Sequence, residues 1–339
     1  MASADHPQVT VLGAGAWGTA LAAALARNGV PVVLWGRDAA QLEVIEHRHE
    51  HPRYLPGIPL PPEIRTEPDF DAAVAGADTL FCATPSYTFR DLLRRLRPAL
   101  EAGRSLVWAC KGLEPDTYRL MHEVVAEELP AAPPHGVISG PSFAREVARG
   151  LPTALTVASG DAAFAARVVG WLHGSSLRAY SNPDVVGVEL AGAFKNVFAI
   201  ACGAADGLGF GANARAAVIT RGLAELMRLG ERMGCQRETF MGLAGIGDLV
   251  LTCTDDQSRN RRLGLAIARG LSPEAACAEI GQAVEGLRTA RAARFLAAHH
   301  GVEMPIVDQV DAVLHGGRDA RDAVRELLER DPKEEVPHG

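Results

Sequence analysis

A single lysine, Lys195, stands inside the small and apolar stretch ELAGAFKNVFAI (189–200). On a helix it shares a face with Ala191, Gly192, Phe198 and Ala199, none of them a carboxylate. Glu189 lies six residues earlier and points about a third of a turn away at ~100° per residue, so a partner must come from another element. Asp248, after the glycine-rich turn of GLAGIGDLVLTC, is the candidate. Burial lowers a lysine pKa and a nearby carboxylate raises it, so such a pair would be tuned to exchange a proton near neutral pH, as carbonyl reduction requires. The alternative is a lysine stem that snorkels to water, and helix periodicity does not separate the two.

Just downstream, SRNRR gathers Arg259, Arg261 and Arg262 around Asn260. Guanidinium groups grip phosphate through paired planar hydrogen bonds, which makes a phosphorylated small molecule the economical substrate class. Ser258 and Asn260 add short polar groups able to bind oxygens; a solvated basic helix face is the competing reading. Two more candidates follow short apolar runs that read as strands: Lys111 in CKG, and Gly140 with Ser142 in SGPS. Ligands of doubly wound sheets lie beyond the carboxyl ends of the strands, where both segments would fall. Lys111 could equally be a surface lysine, and SGPS is also good turn chemistry.

The N-terminal run VTVLGAGAWGTALAAALARNG has strand, glycine turn and helix in the order of a dinucleotide fingerprint. Gly13 permits the tight turn, Gly15 lets backbone approach a pyrophosphate, and Gly18 allows close helix packing. The second strand ends VVLWGRD, placing Arg37 and Asp38 where the adenosine ribose is read. A carboxylate there favours NAD and a guanidinium NADP; Arg37 comes first, so the reading leans to NADPH with NADH tolerated.

These residues need a frame to position them. Runs at 9–13, 32–35, 79–83, 105–109, 136–139, 153–158 and 177–181 read as strands, alternating up to 139 with helical stretches, the pattern of a parallel α/β sheet. Beyond Asn182-Pro183 only helices are expected, at 184–204, 214–234, 238–245, 258–269, 273–279, 283–300, 305–315 and 319–330. The division is therefore a Rossmann-type dinucleotide-binding domain over 1–182 and an all-helical substrate domain over 183–339, with the helix from Asp184 packed on the first domain and carrying Lys195 to the interface. Segment 51–62 reads as an ordered proline-rich loop, 331–339 as frayed, and DGLGFG (206–211) as a helix terminator rather than a phosphate loop. His47, His49 and His51 lack the ligands to complete a metal site and are expected at the surface. A chain of 339 residues, 47% apolar and 22% charged, is long enough for two cores. Its net charge of −7 argues against nucleic acid as a partner. No leader pattern or membrane span is read, which places the protein in the cytoplasm, and six scattered cysteines without a CxxC pair read as reduced, buried thiols.

Taken together, GAGAWGTALA, KGLE, SGPSFA, ELAGAFKNV, DGLGFGANARAAVITRG, GLAGIGDLVLTCTDDQSRNRR and AVEG closely resemble the bacterial NAD(P)-dependent glycerol-3-phosphate dehydrogenase family over nearly the whole chain. The resemblance implies reversible reduction of dihydroxyacetone phosphate to sn-glycerol 3-phosphate for glycerophospholipid synthesis, with Lys195 matching the proton acceptor, and homodimeric assembly. It implies substrate contacts at Lys111, Gly140, Ser142, Lys195, Asp248, Ser258, Arg259 and Asn260. It implies cofactor contacts at Ala16, Trp17, Arg37, Lys111, Ala144, Arg259, Ala283 and Glu285. Ala16, Cys110 and Ala283 depart from the residues frequent there, which leaves backbone contacts intact and puts their side-chain contributions in question. A ketoacid reductase on the same plan and a catalytically silent NADPH sensor are the rival readings; the arginine cluster argues against the first, and the second has no use for Lys195 with Asp248.

Overall fold

The computed structural model describes residues 9–329. The first half contains strands β1 (Val9–Leu12), β2 (Val32–Trp35), β3 (Glu50–His51), β4 (Leu55–Pro59), β5 (Arg65–Glu67), β6 (Thr79–Cys82), β7 (Ser105–Trp108), β8 (His135–Ser139), β9 (Thr153–Ala158) and β10 (Leu177–Asn182). Between them run helices α1 (Ala16–Arg27), α2 (Ala39–Arg48), α3 (Phe70–Ala75), α4 (Phe89–Glu101), α5 (Met121–Glu128), α6 (Ala144–Arg149) and α7 (Ala162–Leu172). Eight strands form one sheet in the order β10-β9-β8-β7-β6-β1-β2-β5. VTVL, VVLW, TLFC and SLVW are buried at every position, the mark of strands covered on both faces. One cover is a cluster around Leu21, Leu25, Phe164 and Val168, the other around Phe70, Leu93, Leu96 and Val124.

Two expectations for this half need correction. The sheet is not wholly parallel, because β8 and β9 pair antiparallel. The only helix between them, α6, has six residues and spans about 9 Å at 1.5 Å per residue, too short to carry the chain back along the sheet. Segment 51–62 is more than a loop: β4 pairs with β3 as an irregular hairpin, and β5 then joins the edge of the main sheet beside β2. Prolines are tolerated there because the hairpin has no inner strand to interrupt.

From Val185 on the described chain is helical: α8 (Val185–Gly207), α9 (Gly211–Arg232), α10 (Arg237–Met241), a π-type turn (Leu243–Gly247), α11 (Asp248–Thr254), α12 (Arg259–Ala268), α13 (Pro273–Ile280), α14 (Glu285–His299), α15 (Pro305–His315) and α16 (Ala320–Leu328). Helix α11 was not expected; its residues carry little helical periodicity and gain their helix by packing on α8. DGLGFG does end α8 and open α9. The expected fraying of 331–339 lies outside the described residues, as does the start of the N-terminus.

α8 is the axis of the molecule, with Phe194, Val197 and Phe198 at the centre of the helical core and Val188 in the core of the sheet. By length and composition it could cross a bilayer, a point the reading of no membrane span passed over; most of it is buried inside the protein, as for a core helix. The β8–β9 reversal sets where it starts. β10 ends at Asn182, in register with Ala158, which pairs with Val137, which pairs with Trp108. α8 therefore departs beside the strand ends.

Candidate functional site

Asp248 opens α11 and is 1% exposed. Its Oδ1 accepts a hydrogen bond from Lys195 Nζ at 2.5 Å, and its Oδ2 one from Lys111 Nζ at 2.7 Å. Lys195, 8% exposed in the middle of α8, also donates to Thr252 Oγ1 at 3.0 Å, while that hydroxyl donates to the Asp248 carbonyl. Lys111 lies in the loop after β7 and donates a second time, to Gly140 O, which also accepts from Ser142 Oγ. The lysine thus finds its partner on another element, and snorkelling to water is excluded.

Two ammoniums on one carboxylate leave a buried group with a net positive charge. Burial lowers the Lys195 pKa to about 8, with Lys111 pushing the same way and Asp248 opposing. Asp248 is itself held below the usual carboxylate range, because the two lysines outweigh its own burial. The arrangement can therefore hand over a proton near neutral pH and stabilise negative charge developing on a nearby oxygen.

Around this centre Asn260, Asn196 and Ser258 are already engaged. Asn260 Nδ2 donates to Asn196 Oδ1 at 2.8 Å, and Asn260 Oδ1 accepts from Gly286 N at 2.9 Å. Ser258 caps α12, accepting from Arg261 N. The three arginines do not converge: Arg261 turns away to Asp206 and Asp256, which hold it in the fold. Arg259 stays near Arg262 and Glu285, its pKa lowered by burial, and Arg262 Nε is buried without a partner. The anion trap is thus smaller than SRNRR suggests, because successive helical residues point in different directions.

Along the same carboxyl edge of the sheet, where Leu12, Cys82 and Trp108 are in register, Gly13 has φ +122°, and a Cβ there would lie 2.8 Å from Ala83 O. Gly15 caps α1 without any side chain, and a Cβ on it would meet nothing within 4 Å. That open cradle faces the unpaired N–H groups of a helix with no acidic residue in its first turn, the requirement for a pyrophosphate. Gly18, Ala16 and Trp17 lie in the opening turn of α1, and Ala16, Trp17, Ala83 and Ala144 are partly buried, each packed against the core of the sheet. Trp17 Nε1 and Thr84 Oγ1 are buried without a partner, so polar groups remain for a ligand. Arg37 is exposed after β2 and has no partner among the described residues. Asp38 caps α2, accepting from Gln41 N. Glu285, first in α14, accepts from Ser86 Oγ at 3.0 Å and is raised in pKa by burial, whereas Ala283 is exposed. The residues present fit a dinucleotide.

His51 is not at the surface: it is fully buried and its Nε2 meets Ala14 O at 3.0 Å, bracing the glycine turn. All six cysteines are free, with Cys82, Cys202 and Cys253 buried and the others partly exposed; burial pushes the Cys110 thiol well up, which leaves it unreactive. Sequence reasoning passed over Thr252, Asn196 and Ser86. It also passed over a signal in composition: the chain has three lysines, Lys111, Lys195 and Lys333, against 34 lysines and arginines together, and two of the three meet at Asp248. A groove of about 1550 Å³ along α9, α15 and α16 contains none of these site residues.

Residues 8–165 match the family model described as NAD-dependent glycerol-3-phosphate dehydrogenase N-terminus, and residues 184–325 the one described as its C-terminus. A glycerol-3-phosphate dehydrogenase (NAD(P)+) of Thioalkalivibrio sulfidiphilus is 59% identical across 98% of this chain and 99% of its own. One of Stenotrophomonas maltophilia is 53% identical across 99% and 98%. The crystal structure of glycerol-3-phosphate dehydrogenase from Coxiella burnetii superposes with a TM-score of 0.91 at 46% identity, covering 96% of this chain and 99% of that one.

Proposed function

The chain belongs to the NAD-dependent glycerol-3-phosphate dehydrogenase family, an oxidoreductase that uses NAD or NADP, and from that premise we propose that it reduces dihydroxyacetone phosphate to sn-glycerol 3-phosphate with Lys195 as the proton donor. The nicotinamide cofactor, when bound, supplies the hydride. Gly13, Gly15 and Gly18 with the start of α1 would hold its pyrophosphate, and Ala16, Trp17, Ala144, Ala283 and Glu285 would line its path to the substrate.

Lys195 gives one proton to the ketone oxygen as C2 receives the hydride, becomes a neutral amine, and recovers its proton from solvent. In the reverse direction the neutral amine takes the hydroxyl proton. Asp248 and Thr252 aim the Lys195 Nζ, and Lys111 on the second Asp248 oxygen keeps that proton transferable. Arg259 would hold the phosphate together with Ser258 and Asn260, and Lys111, Gly140 and Ser142 would border the rest of the substrate. The observation that carries this reading is a lysine 8% exposed, on a carboxylate shared with a second lysine, beside a dinucleotide cradle.

NADPH is preferred because Asp38 engages its carboxylate as a helix cap while Arg37 stays available for a 2′-phosphate. Residues 1–182 form the cofactor lobe and 183–339 the substrate lobe. The protein is a cytoplasmic homodimer, without membrane insertion or nucleic acid as partner, and feeds phospholipid synthesis. Following NADPH absorbance with dihydroxyacetone phosphate tests the central claim. Oxidation by the unmutated protein, lost in Lys195→Ala, supports it; equal turnover in that variant sinks the assignment of Lys195.

A further inference from the structure

We propose that Glu189 is a positioning residue for this site: by collecting hydrogen bonds from Trp108 and His122 it fixes the strand end leading into Lys111 against the helix carrying Lys195, so that both ammoniums meet on Asp248. The proposal deepens the reading of Lys195 as proton donor.

Glu189 is buried on α8, where an unpaired carboxylate would be costly and an apolar side chain would fill the space at less expense. None of its hydrogen-bond donors belongs to α8. Glu189 Oε1 accepts from Trp108 Nε1 at 2.8 Å and from His122 N at 3.1 Å, and Oε2 pairs with His122 Nδ1 at 2.5 Å. Trp108 is the last residue of β7, three before Lys111. His122 is second in α5, a helix whose N-cap is Leu120, which has no side-chain oxygen to offer. The carboxylate therefore caps α5 from outside, a placement the helix dipole also favours.

One turn along α8, Gly192 gives clearance to the end of β8 that borders Lys111: a Cβ there would lie 3.0 Å from Ser139 Oγ, tighter than ordinary contact, and 3.6 Å from Lys111 Cγ. Lys195 follows three residues later. Brace, clearance and proton donor thus succeed one another on the same helix. The groups facing Glu189 are few. His122 is raised in pKa despite its burial by Glu189 and Glu123, and the Cys110 thiol nearby is kept protonated by burial. With the brace loosened, Lys111 is free to leave Asp248, and the Lys195 ammonium is then favoured.

Three lysines make this directly measurable. The full-length protein, labelled with ¹³C,¹⁵N-lysine and free of cofactor and substrate, is titrated by NMR on the lysine Cε and Nζ resonances, assigned with Lys333→Arg and Lys111→Met. Glu189→Gln should move the Lys195 midpoint up by about one pH unit, a tenfold change in its proton equilibrium. Trp108→Phe, which keeps a ring and removes one donor, should move it the same way by less. A folded Glu189→Gln protein whose Lys195 midpoint is unchanged overturns the proposal; if that variant does not fold, an unchanged midpoint in Trp108→Phe does so. Because the titration involves no turnover, its outcome stands apart from whether Lys195→Ala retains activity.

Discussion

Charge on Lys195 decides the direction of the proton. The ammonium is the form that reduces a ketone, and burial brings its pKa to about 8. The turnover number for reduction should therefore fall as pH rises through about 8, while oxidation rises through the same range; two pH profiles of the same preparation check this. Lys195→Ala should lower that number by about a hundred- to ten-thousandfold, the usual contribution of a placed acid or base. Removing Arg37 acts elsewhere. Arg37→Ala should raise KM for NADPH about tenfold or more and leave KM for NADH nearly unchanged, because only NADP carries the 2′-phosphate. Unequal cofactor kinetics would be the sign; equal effects on both would return the preference to Asp38. At this scale Lys195, Asp248 and the glycine turn were legible from residue type and spacing, since each depends on local chemistry. Arg261 and His51 were not, because nothing in their own residue type or spacing selects Asp206 or the Ala14 carbonyl as partner; packing does.

Among the elements, α8 carries the most, and its start is secured from both sides. Asp184 caps it, accepting from Gly187 N at 2.8 Å, and the other carboxylate oxygen accepts from Gln236 N at 2.8 Å after α9. Asp184→Ala removes both bonds and should cost about 1–2 kcal/mol, seen as a lower denaturant midpoint with an unchanged slope. The loop bearing Lys111 is held differently. Arg90 on α4 pairs with Glu114 beyond that loop and with Glu127 and Glu128 on α5, which ties the loop's far end to the sheet cover. Helix and strand identities were mostly readable from periodicity. The exceptions include α11, the β3–β4 hairpin and the edge strand β5, short segments whose form is set by what they pack against.

For the molecule as a whole, Glu225 is among the buried groups whose charge opposes the fold. Glu225 is 3% exposed between α9 and α15; it accepts from Ile306 N, its Oε2 has no partner, and burial raises its pKa to about 7. A carboxyl whose folded pKa lies above its unfolded value is accommodated best when protonated. Its cost is thus absent at low pH, grows as pH rises through the unfolded value of ~4.3 and is complete above about 7. Glu225→Gln keeps the acceptor for Ile306 N and should raise stability at pH 8 by on the order of 3 kcal/mol, with the gain gone near pH 4; thermal unfolding at the two pH values measures it. The sequence alone determined the order of strand, glycine turn and helix, the change from α/β to all-helical near residue 182, and the residue types of the site, because those follow from short-range patterning and side-chain chemistry. Only the tertiary structure decided that Lys111 and Lys195 share one carboxylate, that Arg261 leaves the site, and that a reversed strand starts α8 beside the sheet's carboxyl edge. Those outcomes depend on contacts between residues far apart in the chain, whose geometry no local spacing encodes.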